Sequence, residues 1–140
     1  MKSIIFFSIL FFSFFVSSQE DLTLETEIYN VFNSYKLKLN GNSVTINSDM
    51  SSSCREHSKK MGESDSLFHV AFTDDIIAKS EIVQRNNNLR QTNKEVAQSV
   101  LKVFLNSPNH KELLEEKSKL IGIGVYITDG YLVWVTVRFL

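Results

Sequence analysis

The chain has 140 residues with 15 Lys and Arg against 16 Asp and Glu, a formal net charge of −1. That balance excludes a protein that grips nucleic acid through bulk positive charge, and no aromatic-plus-arginine stacking pattern points the other way. A single cysteine, Cys54, leaves no partner for an internal disulfide, so the fold must rest on its apolar core.

The first residues, MKSIIFFSILFFSFFVSSQE, combine one lysine, a long Ile/Phe/Leu run and small residues at Ser17 and Ser18. This is the layout of a secretory signal peptide, and the apolar run is too short to span a bilayer comfortably. Residues 1–18 are therefore expected to be a leader, with cleavage after Gln19 as the second choice. Residues 19–140 form the domain. The product is expected to be secreted or periplasmic, with no stable membrane span once the leader is gone.

Residues 21–39 carry Leu24, Ile28, Val31, Phe32 and Tyr35 at helical spacing, which predicts an amphipathic helix stopped by Gly41 in a left-handed cap. SVTIN predicts a short extended stretch. Ser48 and Asp49 are expected to cap a second helix running to about Met61, with Gly62 as its stop and Cys54 as a small buried residue on its apolar face. LFHVAF can be extended. The run DDIIAKSEIVQRNNNLRQTN predicts mostly loop, exposed at residues 86–88.

Thr92 or Asn93 caps a third helix with an apolar stripe of Val96, Ala97, Val100, Leu101, Phe104 and Leu105. A fourth helix is expected to start at Pro108, with Ser107 as N-cap, to bury Leu113 and Leu114, and to end around residues 117–119. His110 lies one turn in, where the positive end of the helix dipole favours a neutral imidazole.

LIGIGVYIT and YLVWVTVRFL flank Asp129-Gly130, the pair best suited to a two-residue type I′ turn. Gly122 and Gly124 leave one face of the first strand bare, inviting close approach by another element. The last strand is apolar on both faces, so both must be covered. The expected fold is α+β, a helix–sheet–helix sandwich on an antiparallel sheet.

Three histidines, His57, His69 and His110, and the acids Glu56, Glu63, Asp74, Asp75 and Glu81 are the candidates for chemistry. HExxH, CxxC, GxSxG and a glycine-rich phosphate loop are all absent, and the histidine spacing alone defines no metal site.

The order of segments adds more. MSSSCREHSKKMGESDSLFHV, then SEIVQ, then VAQSVLKVFLNSPNHKELLEEKSKLIGIGVYITDGYLVWVTVRF resembles the CAP superfamily, the SCP-like domain of cysteine-rich secretory, antigen 5 and pathogenesis-related proteins. The likeness is to the short, disulfide-free bacterial-type branch. It covers the chain from about Glu25 to Phe139, and Asn33-Ser34-Tyr35-Lys36 resembles the family's Asn-x-x-Arg step with lysine for arginine. The resemblance implies a three-layer α–β–α sandwich with a central antiparallel sheet and a polar cleft of two His and two acids, sometimes around a divalent metal.

Carried over by position, His69 and His110 match the two cleft histidines and Glu81 the glutamate of the Gly-Glu-Asn step, here flanked by Ser and Ile. Ser107 occupies the second acid's place, and Phe104 replaces the usual Trp. His57 matches a common His-Ser pair outside the cleft set and is expected to be structural or on the surface. The implied metal site is zinc held loosely by His69 and His110, with Glu81 third.

A module that binds a small molecule, lipid or peptide is the first expectation for function. An interaction protein with an idle cleft is the second, and a His- or metal-dependent hydrolase the third. A Ser107–His110 dyad is disfavoured, because the cap would claim the hydroxyl.

Overall fold

The structure is a computed structural model, and it describes residues 22–71, 78–87 and 90–140. The expected leader and the acids Asp74 and Asp75 lie outside these residues. The elements run α1 (Leu22–Asn40), β1 (Thr45–Ile46), α2 (Ser48–Ser64), β2 (Ser80–Asn87), α3 (Asn93–Asn106), α4 (Pro108–Glu115), β3 (Leu120–Thr128) and β4 (Leu132–Phe139). Among the described residues, no helix is long and apolar enough to cross a membrane.

The sheet order is β1-β3-β4-β2. β4 lies in the middle of an antiparallel set, pairing with β3 from Ile121↔Phe139 to Thr128↔Leu132 and with β2 from Ser80↔Phe139 to Asn87↔Leu132. β1 adds a two-residue parallel bridge at the other edge, Thr45↔Leu120 and Ile46↔Ile121, so the sheet is mixed at that margin.

The two faces of β4 divide the molecule into layers. Val133, Val135, Val137 and Phe139 are buried with Leu24, Ile28 and Phe32 of α1, Val96, Val100 and Phe104 of α3, and Leu114 of α4. Trp134, Thr136 and Arg138 alternate with them and face α2, where Trp134 packs on Met61 and Tyr126. The result is the α–β–α sandwich that a last strand apolar on both faces demands.

The bare face of β3 is where α2 comes closest. A side chain at Gly122 would meet Met50, and one at Gly124 would meet the backbone of Cys54 and Arg55. At that contact the Ser58 hydroxyl donates to the Gly124 carbonyl at 2.9 Å and lies 2.8 Å from the Thr136 hydroxyl. Cys54 is fully buried against this seam, and burial pushes its thiol up to about 12. A thiol reagent at pH 8 is therefore expected to label the folded protein roughly 10³-fold more slowly than the urea-unfolded chain. Comparable rates in the two states would mean that α2 does not pack as described.

Asn33 and Lys36 of α1 both serve long-range structure. Asn33 Oδ1 accepts from the Val44 N–H at 2.9 Å and so sets the entry to β1. Lys36 is buried over the Phe139 ring, and its ammonium donates to the carbonyls of Leu114 and Glu116 at 2.7 and 2.9 Å. It thereby ties the end of α4 to the sheet. Burial pulls the Lys36 pKa down, and the nearby Glu116 charge opposes that.

Several local expectations change. Residues 80–87, expected as loop, form the edge strand β2, because each backbone position pairs with β4 despite a polar sequence. Asn47 rather than Ser48 caps α2, its side chain accepting from the Met50 N–H. The helix does not stop at Gly62, which sits tight against Tyr126 and Trp134; it stops at Asp65, in the left-handed region at φ 47°. α4 ends at Glu115, short of residues 117–119, and buries Leu114 while Leu113 stays partly covered. Asp129 and Gly130 both have positive φ, as a type I′ turn requires, and the Tyr131 N–H donates to the Thr128 carbonyl. Strand pairing resumes only at Thr128↔Leu132, so the connection holds one residue more than expected. Thr92 caps α3 in a full capping box with Glu95.

Candidate functional site

The register of β2 on β4 places Glu81 opposite Arg138, both on the α2 face. Each side chain is only 2% exposed, and Arg138 Nε donates to Glu81 Oε2 at 2.8 Å. Arg138 Nη1 also donates to the Ser53 hydroxyl of α2 at 2.7 Å. A buried carboxylate paired with a guanidinium stays ionised and accepts hydrogen bonds only.

The other carboxylate oxygen holds the segment that follows α2. Glu81 Oε1 accepts from the Val70 N–H at 3.2 Å and from His69 Nδ1 at 3.1 Å. Since the carboxylate has no proton to give, His69 Nδ1 bears a proton, and in the neutral ring Nε2 carries the lone pair. The His69 ring is 57% exposed, so that lone pair belongs to a surface imidazole on a buried ionic anchor. Leu67 and Phe68, just before it, are also exposed, at 49% and 39%.

His57 has the structural role expected of it, but it stands beside Glu81 rather than apart from that cluster. It is buried on α2, with Nε2 2.8 Å from the Phe68 carbonyl, 3.7 Å from Glu81 Oε1, and its ring edge-on to Phe68 at 5.0 Å. A carbonyl only accepts, so Nε2 bears the proton, and Nδ1 is left buried with no partner among the described residues. His57 thus holds Phe68 in place while Glu81 holds the two residues after it. What local sequence did not signal was its contact with Glu81, which depends on the charged pair in the sheet beneath.

His110 stands on α4, edge-on to Phe104 at 5.6 Å, with Nδ1 buried and unpartnered among the described residues. Burial lowers its pKa first, and the charge of His69 lowers it further, which puts the two imidazoles in one electrostatic neighbourhood. Ser107 behaves differently from expectation. It is the junction of α3 and α4, its N–H donating to the Phe104 carbonyl and its carbonyl accepting from Lys111, but its hydroxyl makes no cap bond. Among the described residues nothing links that hydroxyl to His69, Glu81 or His110 by hydrogen bond.

His57 is also held neutral, chiefly by burial and further by the charges of Arg138 and His69, against the opposing pull of Glu81 and the Phe68 carbonyl. Both lowered histidines take up protons more readily unfolded than folded. Stability is therefore complete above the unfolded histidine pKa of about 6.5 and lost as pH falls toward the lower native values. Urea midpoints should drop between pH 7.5 and 5.5, and the drop should shrink in His57→Gln/His110→Gln; an unchanged drop would place its origin elsewhere.

The profile of the cysteine-rich secretory protein family (CAP) matches residues 29–139. Among solved structures, the chain is similar to an outer surface protein from Borrelia burgdorferi, with a TM-score of 0.67 and 21% identity over 87% of this chain and 96% of that one. An extracellular SCP-domain protein from Bacillus anthracis gives a TM-score of 0.56 at 20% identity over 83% of this chain, which spans only 40% of that larger protein. A venom allergen-like protein from Schistosoma mansoni gives 0.54 at 12% identity, covering 83% of this chain and 87% of that one. No curated protein matches the chain.

Proposed function

The chain belongs to the cysteine-rich secretory protein family, and we propose that it works outside the cytoplasm as a ligand-binding module whose cleft is framed by His69 and His110. The observation that carries this reading is the commitment of Glu81. Its Oε2 is taken by Arg138 and its Oε1 by His69 and Val70, so it orients the imidazole and does not itself meet a ligand. What faces outward is a hydrogen-bond acceptor, His69 Nε2, beside an apolar shoulder of Leu67 and Phe68. That suits an amphipathic molecule with a donor at its head.

A resident divalent ion does not fit this donor set. Zinc sites with an open position use three protein ligands. Here Glu81 is already engaged, Ser107 is uncharged, and no three His, Cys, Asp or Glu converge as a metal site among the described residues. Catalysis through a protein nucleophile finds little support either: Cys54 is buried and protonated, and the Ser107 hydroxyl has no base bonded to it among the described residues. Extracellular and outer-surface relatives of the same fold, together with the signal-like first 18 residues, support export.

The test is a titration of protein carrying ¹⁵N-labelled histidine with a short-chain monoacylglycerol below its aggregation concentration. The His69 ring and the amides of residues 67–70 should shift together and saturate, and His69→Ala should weaken binding by about tenfold, the value of one good hydrogen bond. Absence of a saturable shift, or equal binding by His69→Ala, would leave the idle-cleft reading in its place.

A further inference from the structure

A second surface lies on the opposite side of the sheet from α2. α1 and α3 run side by side in the same direction, joined at their starts where Asn93 Nδ2 donates to the Thr23 hydroxyl at 2.7 Å. Between them is a groove of about 620 Å³. Val31, Tyr35, Leu101 and Leu105 form its floor, all packed on the main core yet only partly covered by it. Residues 27 to 38 of α1 line it over three helical turns, about 16 Å.

The charge along the groove is uneven. Glu27 and Lys94 stand toward the helix starts, whereas Lys38 and Lys102 flank the far end with no acid among the lining residues there. None of the three lysines pairs with an acid among the described residues. Three cations against one anion in a chain whose net charge is −1 make this a local positive surface on a slightly acidic protein.

We propose that this groove docks an acidic amphipathic helix of a partner protein. A three-turn trough between two parallel helices takes a third helix through apolar anchors at i, i+3 or i+4, and i+7, and acidic residues flanking those anchors meet Lys38 and Lys102. A second copy of this chain is the poorer occupant, because a twofold contact would set one lysine group against another.

The test is fluorescence anisotropy with the purified protein and a labelled 14-residue helix bearing Leu anchors flanked by Glu. Its partner probe has the same sequence with Lys for Glu. The acidic probe should bind saturably and weaken as salt is raised, and the basic probe should not bind. Lys38→Glu/Lys102→Glu, two changes at exposed positions that leave the core intact, should reduce affinity for the acidic probe at least about tenfold, with far-ultraviolet circular dichroism unchanged. Equal binding of both probes, no loss in the double variant, or concentration-dependent dimers through this face would overturn the proposal. So would no binding of the acidic probe while laurate fills the groove.

Discussion

Glu81→Ala should cost about 3–5 kcal/mol of folding free energy, because it leaves the Arg138 guanidinium buried without its anion. Arg138 is 2% exposed, and after the substitution the Ser53 hydroxyl is the one hydrogen-bond partner left to its guanidinium among the described residues. A domain of this size has about 5–15 kcal/mol in total, so the variant should sit near its unfolding threshold at room temperature. Urea titration reads the loss directly. The matching double change, Glu81→Leu/Arg138→Met, removes both charges and should recover most of the stability, since a buried ion pair seldom outperforms well-packed apolar side chains. It should still release His69 and Val70, whose shared acceptor is gone, while His57 keeps its hold on the Phe68 carbonyl. A double variant as unstable as Glu81→Ala would show that the pair contributes more than mutual neutralisation.

Gly124→Ala should be nearly as costly, for a steric reason. The new methyl would occupy the space of the Cys54 and Arg55 backbone, which has no rotamer to change, so α2 as a whole must move away from the sheet. That movement would break the Ser58 bond to the Gly124 carbonyl and loosen the packing over Met61 and Trp134. Overpacking usually costs about 1–3 kcal/mol, and a clash with helix backbone belongs at or above the top of that range, about 3 kcal/mol. Gly130→Ala is the control. Nothing lies within 4 Å of a side chain there, and only the positive φ of 71° opposes it, which is worth about 1–2 kcal/mol. Equal losses at the two glycines would contradict the close seam between α2 and β3.

The same seam explains what was legible in the sequence. Gly122 and Gly124, alternating with Ile121, Ile123 and Val125, announced a strand with one bare face, and α2 occupies that face. The apolar stripes of α1 and α3 and the turn pair Asp129-Gly130 were equally plain, because helical spacing and turn chemistry are local properties. β2 was not legible. Its buried residues include Ser80, Glu81 and Gln84, and a strand that buries polar groups lacks the apolar alternation that marks one. Its identity as a strand comes from β4, at the far end of the chain.

The site divides along the same line. His69 and Glu81 are in hydrogen-bond contact, whereas His110 packs against Phe104 and makes no hydrogen bond to either among the described residues. Arg138 and the contact of His57 with Glu81 were missed because no local pattern connects Glu81 to either residue. The hydroxyl of Ser107 was expected to cap α4, but it makes no cap bond; Pro108 at the first helical position already removes one of the amide donors that a cap would serve.

Whether a fixed acceptor faces the cleft depends on the state of the His69 ring at pH 8, and ¹⁵N chemical shifts of the labelled imidazole measure it. A ring pinned by Glu81 must show a protonated Nδ1 and a bare Nε2, with that preference lost in Glu81→Leu/Arg138→Met. A ring protonated mainly on Nε2, or averaging between both tautomers as free histidine does, would mean that the carboxylate does not hold it and that no oriented acceptor faces the cleft.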